Sequence, residues 1–285
     1  MIHFCRNFDT CDAYLREKGG VQNMQKRKNR KLRRRIELIV KMCVFIFGVY
    51  MVIHHFTDKI SSQLTPDLSD IVPETNNITN TETLIPIQGL SQEGIPTGCE
   101  AVSTVALLQY WGIDIDVNTF IEDYLPCQNF YYINGDLYGA DPHKAFAGNP
   151  YNKTSLGCFP EVIMKALYKM KSDNYPNFEN IEFDTLSGSS LDALANQYLS
   201  RSIPILLWIT IDLKEPTPGM QYHLEDGSLY AWTKHEHCVV LCGYDAENYY
   251  FMDPLADGQI VTRNKELVEL RYEQLGNYAL IIKRK

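Results

Sequence analysis

The 285-residue chain holds eight cysteines but no C-x-x-C pair. Structural zinc sites and dithiol redox motifs use that spacing, so neither is expected. A G-x-x-x-x-G-K-[ST] loop is also missing, which argues against P-loop nucleotide chemistry. No internal repeat is present. Neither a metal nor an organic cofactor is therefore expected. Positive charge is scarce beyond the N-terminus: residues 1–41 hold 12 Lys+Arg against 4 Asp+Glu, and the other 244 residues hold 15 against 31. So acidic a body is not a nucleic-acid-binding surface. What remains is an ordinary globular composition, 45% hydrophobic and 22% charged, with 12% aromatics arguing against wholesale disorder.

The basic head has a use. Residues 25–35 are almost continuously Lys and Arg, and 36–56 follow as a mostly apolar run with no charge from 42 to 53. About 20 apolar residues span a bilayer, and a Lys/Arg cluster holds its side in the cytoplasm. The expectation is a single-pass anchor over 36–56 behind a cytoplasmic segment 1–35, with the rest of the chain outside the cell. A small-residue A-x-A site is absent after Ile53, which favours an uncleaved anchor over secretion after signal cleavage. Lys18-Gly19-Gly20, encodable by a ribosome-binding purine run, precedes Met24, so translation is expected to start at Met24; a peptide from residues 1–17 would refute this. Residues 57–84 are rich in Ser, Thr, Asn, Asp and Pro and read as an extracellular linker. The globular domain is expected over 85–285.

Within that domain, apolar spacing predicts helices at 98–111, 117–124 (with Asn118 near the cap), 160–170 and 190–199. Val102, Val105, Ala106 and Leu108 would form the apolar face of the first. The period then changes. Residues 204–211, 237–244, 249–253 and 278–282 read as strands, the second and third joined through a polar turn at 245–248. Helices early and strands late indicate an α+β class. Residues 126–156 read as an irregular loop.

Cys99 follows the turn Ile95-Pro96-Thr97-Gly98 and opens the first helix. A helix N-terminus stabilises a thiolate, and Gly98 would leave room for a substrate backbone. His237 opens one strand and Asp253 ends the next, so a hairpin turning near 245–247 brings both to one end of the sheet. An imidazole held by a carboxylate is what a thiol nucleophile requires. His235 lies two residues from His237, on the same face of an ideal strand, and periodicity does not choose between them.

QEGIPTGCEAVSTVALLQYW, HCVVLCGYD and YYFMDPL, occurring in that order, resemble the bacterial C39-like cysteine peptidases. YGADPHKAFAGNPYNKTSLGCFPEVIMKAL resembles standalone exported members. The resemblance covers residues 85–282. It implies a papain-like fold, helices packed on an antiparallel sheet, with Cys99 as nucleophile, His237 as base and Asp253 as the orienting acid. It implies Gln92 as an oxyanion-hole donor beside the Cys99 N–H. Leader processing coupled to export is not expected, because no ATPase accompanies the domain.

Five cysteines lie beyond residue 60, an odd number compatible with one reactive thiol and two bridges, or with five free thiols. Cys238 and Cys242 share a strand face roughly 13 Å apart, too far to bridge each other; if a bridge forms, Cys127 with Cys158 is the pair expected, and no disulfide at all is the equal alternative. Asp141 and His143 are candidate metal ligands, with a solvated loop the simpler reading. Trp208, Tyr230 and Trp232 fit either a groove or the core. The implied activity is peptide-bond hydrolysis on a peptide or protein substrate. A catalytically silent peptide-binding module and a cell-wall amidase or acyltransferase are the alternatives. No pattern specifies an oligomer.

Overall fold

The computed structural model describes residues 83–285. The expected anchor at 36–56, the segment before it and all but the last two linker residues lie outside that range. Among the described residues, no helix is long and apolar enough to cross a membrane.

The core is a seven-stranded sheet. Its strands are β1 (Thr83–Leu84), β6 (Ile181–Thr185), β7 (Ile205–Thr210), β10 (Glu236–Tyr244), β11 (Asn248–Asp253), β12 (Gln259–Asn264) and β13 (Ala279–Arg284). The order is β12-β11-β10-β7-β13-β6, with β1 paired to β10, and every pairing is antiparallel. All six residues of β7 and eight of nine in β10 are buried. Continuous apolar runs such as ILLWIT therefore read as central strands covered on both faces rather than as an alternating pattern. The β10–β11 turn is built by Asp245, whose Oδ1 accepts from the backbone N–H of Glu247 and of Asn248, both at 2.7 Å.

Among the described residues, five α-helical segments accompany the sheet: α1 (Cys99–Tyr110), α2 (Val117–Thr119), α3 (Pro160–Ser172), α4 (Leu191–Tyr198) and α5 (Lys265–Leu275). Helix α1 packs on β10 and β7. It is buried on every side from Cys99 to Leu108, polar Glu100, Ser103 and Thr104 included, so the single apolar face expected from Val102, Val105, Ala106 and Leu108 understates it. It ends at Tyr110, with Gly112 just beyond the cap at φ +78°. Asp116, not Asn118, caps α2, accepting from the Thr119 N–H at 3.0 Å, and the chain continues as a π-helical turn, Phe120–Tyr124.

Two expectations fail on elements with little burial. No element was read over 254–277, yet β12 and α5 lie there. β12 exposes four of its six side chains and α5 buries only Val268, Tyr272 and Leu275, so the apolar period is faint. The signals present are terminal ones: Asn264 Oδ1 accepts from Leu267 N–H at 3.2 Å and Gly276 closes the helix at φ +107°. The 126–156 loop is likewise partly ordered. It holds β2 (Cys127–Gln128), β3 (Tyr131–Ile133), β4 (Asp136–Tyr138) and β5 (Phe146–Ala147). Asn134 and Gly135, both at positive φ, join β3 to β4 as the Asn-Gly hairpin turn. With β8 (Pro218–His223) and β9 (Leu229–Thr233) these strands form the sheet β3-β4-β8-β9. The five cysteines among the described residues are all free, so the expected Cys127–Cys158 bridge is absent. Cys127 sits exposed on β2 and Cys158 is fully buried ahead of α3.

Candidate active site

Cys99 is the first residue of α1, with Gly98 at the cap position. The turn before it is closed by backbone bonds from Ile95 N–H to Gln92 O (2.9 Å) and from Gly98 N–H to Ile95 O (3.0 Å). A side chain at Gly98 would put its Cβ 2.3 Å from Ile95 Cγ2. Glycine there lets Ile95 pack against the turn.

His237 and Asp253 meet. The imidazole is 2% exposed, and its Nε2 lies 2.7 Å from Asp253 Oδ1. The same oxygen accepts the Leu255 N–H at 2.9 Å, in the short turn Pro254–Ala256. Burial works to raise the Asp253 carboxyl, but the His237 bond and charge, with help from Leu255 and Arg263, hold it below its usual value. It is thus an acceptor, and Nε2 carries the hydrogen. Nδ1 is left with a lone pair, the form a general base needs. The backbone separates His235 from His237. His235 has φ +67° in the turn before β10 and is exposed, while its carbonyl accepts Ile211 N–H at 2.7 Å. It does not belong to the strand, so the two histidines do not share a face.

Gln92 is tied to this end of the sheet, its N–H donating to Pro254 O at 3.2 Å. Segment 89–92 runs so close to the following loop that a Cβ on Gly89 would sit 2.2 Å from Gly258 O. The Gln92 side chain is buried; Nε2 donates weakly to Pro96 O at 3.4 Å, and Oε1 has no partner.

Two residues absent from the sequence reading complete the site. Glu100 is fully buried beside Cys99; its Oε2 accepts the Cys99 thiol at 3.3 Å and its Oε1 accepts the Cys158 N–H at 2.7 Å. Glu236, 8% exposed, leads into His237, and its Oε1 has no partner. Gly157 gives these carboxyls room: a Cβ there would fall 2.3 Å from Glu100 Oε1 and 3.1 Å from Glu236 Oε2. Donor atoms of Cys99, Glu100 and Glu236 lie within 4.8 Å of one another. Both Glu100 oxygens already accept protein hydrogens, which links Cys99, Glu100 and Cys158 in one hydrogen-bonded cluster. Burial pushes Glu100 up to about 7 despite hydrogen bonds that lower it. It also pushes Glu236 well above the carboxylate range, with the charge of Glu100 adding to this. Glu at the second position of a helix reads in sequence as a solvated residue favoured by the helix dipole, which is why it carries no signal.

The thiol itself differs from expectation. Burial, then the charges of Glu100, Glu236 and Cys238, raise Cys99 well above the usual thiol value, with the Cys238 backbone offsetting part of this. The resting group is a neutral thiol bonded to Glu100, not a thiolate. Cys238 is in the core, and its carbonyl accepts from Ser103 Oγ on α1 at 3.0 Å, which fixes α1 on β10.

The remaining candidates are not drawn into the site. Asp141 accepts the His143 N–H at 3.0 Å and pairs with Lys144 at 3.3 Å, while His143 Nδ1 pairs with Glu161 at 2.9 Å. Their side chains thus have different partners, Lys144 for Asp141 and Glu161 for His143. Trp208 is core, its Nε1 donating to Cys158 O at 2.9 Å. Trp232 stacks on Phe159 at 5.6 Å, with half-buried Tyr230 packed against the core.

A pH dependence follows. A carboxyl whose pKa rises from 4.5 unfolded to about 7 folded supports the fold fully below about 4.5, and that support is lost as pH rises through 7. The urea midpoint of the wild type relative to Glu100→Gln should therefore fall between pH 5 and 7.5. A difference that stays constant or grows over that interval contradicts the assignment.

The profile of the Peptidase_C39 like family matches residues 84–280. An uncharacterised protein of Bacillus subtilis (strain 168), YvpB, is 26% identical over 187 residues, which is 66% of this chain and 69% of that one. The fold is similar to the crystal structure of a provisionally assigned C39-like peptidase from Bacillus anthracis. The TM-score is 0.58 at 23% identity, covering 72% of this chain and 98% of the other. With most of its length accounted for by one family, the chain belongs to the peptidase C39-like family.

Proposed function

We propose that the chain is a cysteine peptidase that hydrolyses peptide bonds outside the cytoplasm, with Cys99 as nucleophile, His237 as base and Asp253 as its orienting acid. The observation that carries this reading is the buried 2.7 Å bond from His237 Nε2 to Asp253 Oδ1. It leaves Nδ1 as acceptor on the strand against which the Cys99 helix packs. In the reaction Nδ1 takes the thiol proton and sulfur attacks the scissile carbonyl carbon. The oxyanion that forms is met by the Cys99 N–H and by Gln92 Nε2, whose present bond to Pro96 O is long enough to give up. His237 then protonates the leaving amine, and water, activated by the same imidazole, releases the acid from the thioester. Family membership supports the peptidase class. The basic cluster and apolar run at 25–56 support the extracellular, membrane-tethered placement.

One experiment tests both. Intact cells are treated with a membrane-impermeant iodoacetamide reagent, and labelling of each cysteine is read by mass spectrometry. Cys99 is expected to label on intact cells and to lose most of that labelling in His237→Ala. Labelling that appears only after lysis removes the extracellular placement. Labelling that is equal in wild type and His237→Ala removes the triad and favours a silent binding module.

A further inference from the structure

The residue that holds the resting thiol is Glu100, not His237. We propose that Glu100 and Glu236 form a proton-sharing carboxyl pair that keeps Cys99 protonated at rest, making Glu100 a positioning residue that decides when the nucleophile is released. The inference rests on the cysteine-peptidase reading and adds a control to it.

Two carboxyls this close in a buried site do not both ionise; one keeps a proton and the other carries the charge. Glu100 is the charged member. Both of its oxygens face donors, the Cys99 thiol at 3.3 Å and the Cys158 N–H at 2.7 Å, whereas Glu236 Oε1 meets no donor at all. Glu236 is therefore the protonated partner. The cleft for the pair is made by Gly157, since any side chain there would strike both acids. The groups acting on the pair and its thiol are Cys99 from α1, Cys127 from β2, Cys158 ahead of α3, Tyr230 from β9 and Cys238 from β10. None of these is a cation, and the imidazole of His237 is tied through Nε2 to Asp253, so the charge on Glu100 acts on the sulfur with little compensation.

Release then proceeds in two proton steps. As pH falls through the titration of Glu100, a proton from solvent binds its carboxylate and the pair becomes neutral. The S–H···Oε2 bond is lost. The thiol proton passes to His237 Nδ1, giving a thiolate and an imidazolium held by Asp253. No redox change or co-reactant is involved. The enzyme is thereby silenced at alkaline pH and released in a mildly acidic setting.

The test is the pH dependence of Cys99 alkylation by iodoacetamide in the full chain, followed by mass spectrometry of the Cys99 peptide. Thiolate absorbance at 240 nm provides the spectroscopic signature. Glu100→Gln mimics the protonated acid at every pH. Labelling at pH 8 is expected to rise tenfold or more, with the ionisation midpoint moving down by at least one unit. Superimposable profiles overturn the proposal. A purely packing role for Glu100 would lower stability but leave the profile in place. Infrared spectra keep the idea testable if Glu100→Gln does not fold. Wild-type protein at pH 7 should show a protonated carboxyl band that disappears in Glu236→Gln, and no such band overturns the shared proton. The two readings fail separately: labelling unaffected by His237→Ala sinks the triad, whereas labelling unaffected by Glu100→Gln sinks only the control.

Discussion

Truncation of His237 to Ala is expected to lower kcat/KM for peptide hydrolysis by roughly 10⁴-fold or more, since single losses from a nucleophile–base unit cost nearly as much as losing the unit. The base at Nδ1 disappears and nothing else on β10 replaces it. Asp253→Asn should be far milder, on the order of 10- to 100-fold, because of which oxygen does the work. Oδ1 alone accepts both His237 Nε2–H and Leu255 N–H. An asparagine that keeps its amide oxygen at Oδ1 retains both bonds and the same tautomer, and loses only the charge that stabilises the imidazolium. Quenched fluorescent peptide libraries with steady-state kinetics read both variants. A His237→Ala enzyme within tenfold of wild type would remove the imidazole from the chemistry. Equal losses in the two variants would mean that the charge of Asp253, and not its geometry, is what His237 needs.

The second large effect is on stability. Trp208 lies at the centre of β7, fully buried, opposite Cys238 in the register with β10. Trp208→Ala should cost about 3–5 kcal/mol for the lost packing and cavity. Roughly 1 kcal/mol more is expected from the Cys158 carbonyl, which loses its donor. Domains of this kind have about 5–15 kcal/mol in total, so a large share of the margin goes. Trp208→Phe keeps most of the apolar burial and loses the N–H, for about 1–2 kcal/mol. Urea unfolding followed by circular dichroism separates the two. An Ala variant within 1 kcal/mol of wild type would show that β7 is not the spine of the sheet. The link to the site is direct, because the Cys158 peptide is held between Trp208 Nε1 and Glu100 Oε1, and loosening it frees the acid that restrains Cys99.

Elements legible in the sequence share one property: their burial follows a local pattern. ILLWIT and HCVVLCGY are continuous apolar runs and became β7 and β10. The 98–111 helix was marked by its turn and by Gly112, and Asp245 announced the hairpin that carries His237 toward Asp253. Helix α5 and strand β12 leave little apolar pattern because few of their side chains are buried, and only Asn264 and Gly276 remain as punctuation. The Asn134-Gly135 turn was a readable hairpin signal between YYI and DLY. It was obscured by surrounding polar residues that resemble loop.

The local sequence alone specified that Cys99 begins a helix, that His237 begins a strand, and that Asp253 ends the neighbouring one. Hydrophobic period and turn chemistry operate over a few residues and need no distant partner. Tertiary structure decided which histidine is inside, that Cys127 and Cys158 stay apart, and that the thiol is bonded to Glu100 with Glu236 beside it. Those outcomes depend on what burial places next to a group. Residues 100 and 236 become neighbours only when α1 lies on β10, and only there does losing water raise a carboxyl enough to hold a proton at neutral pH.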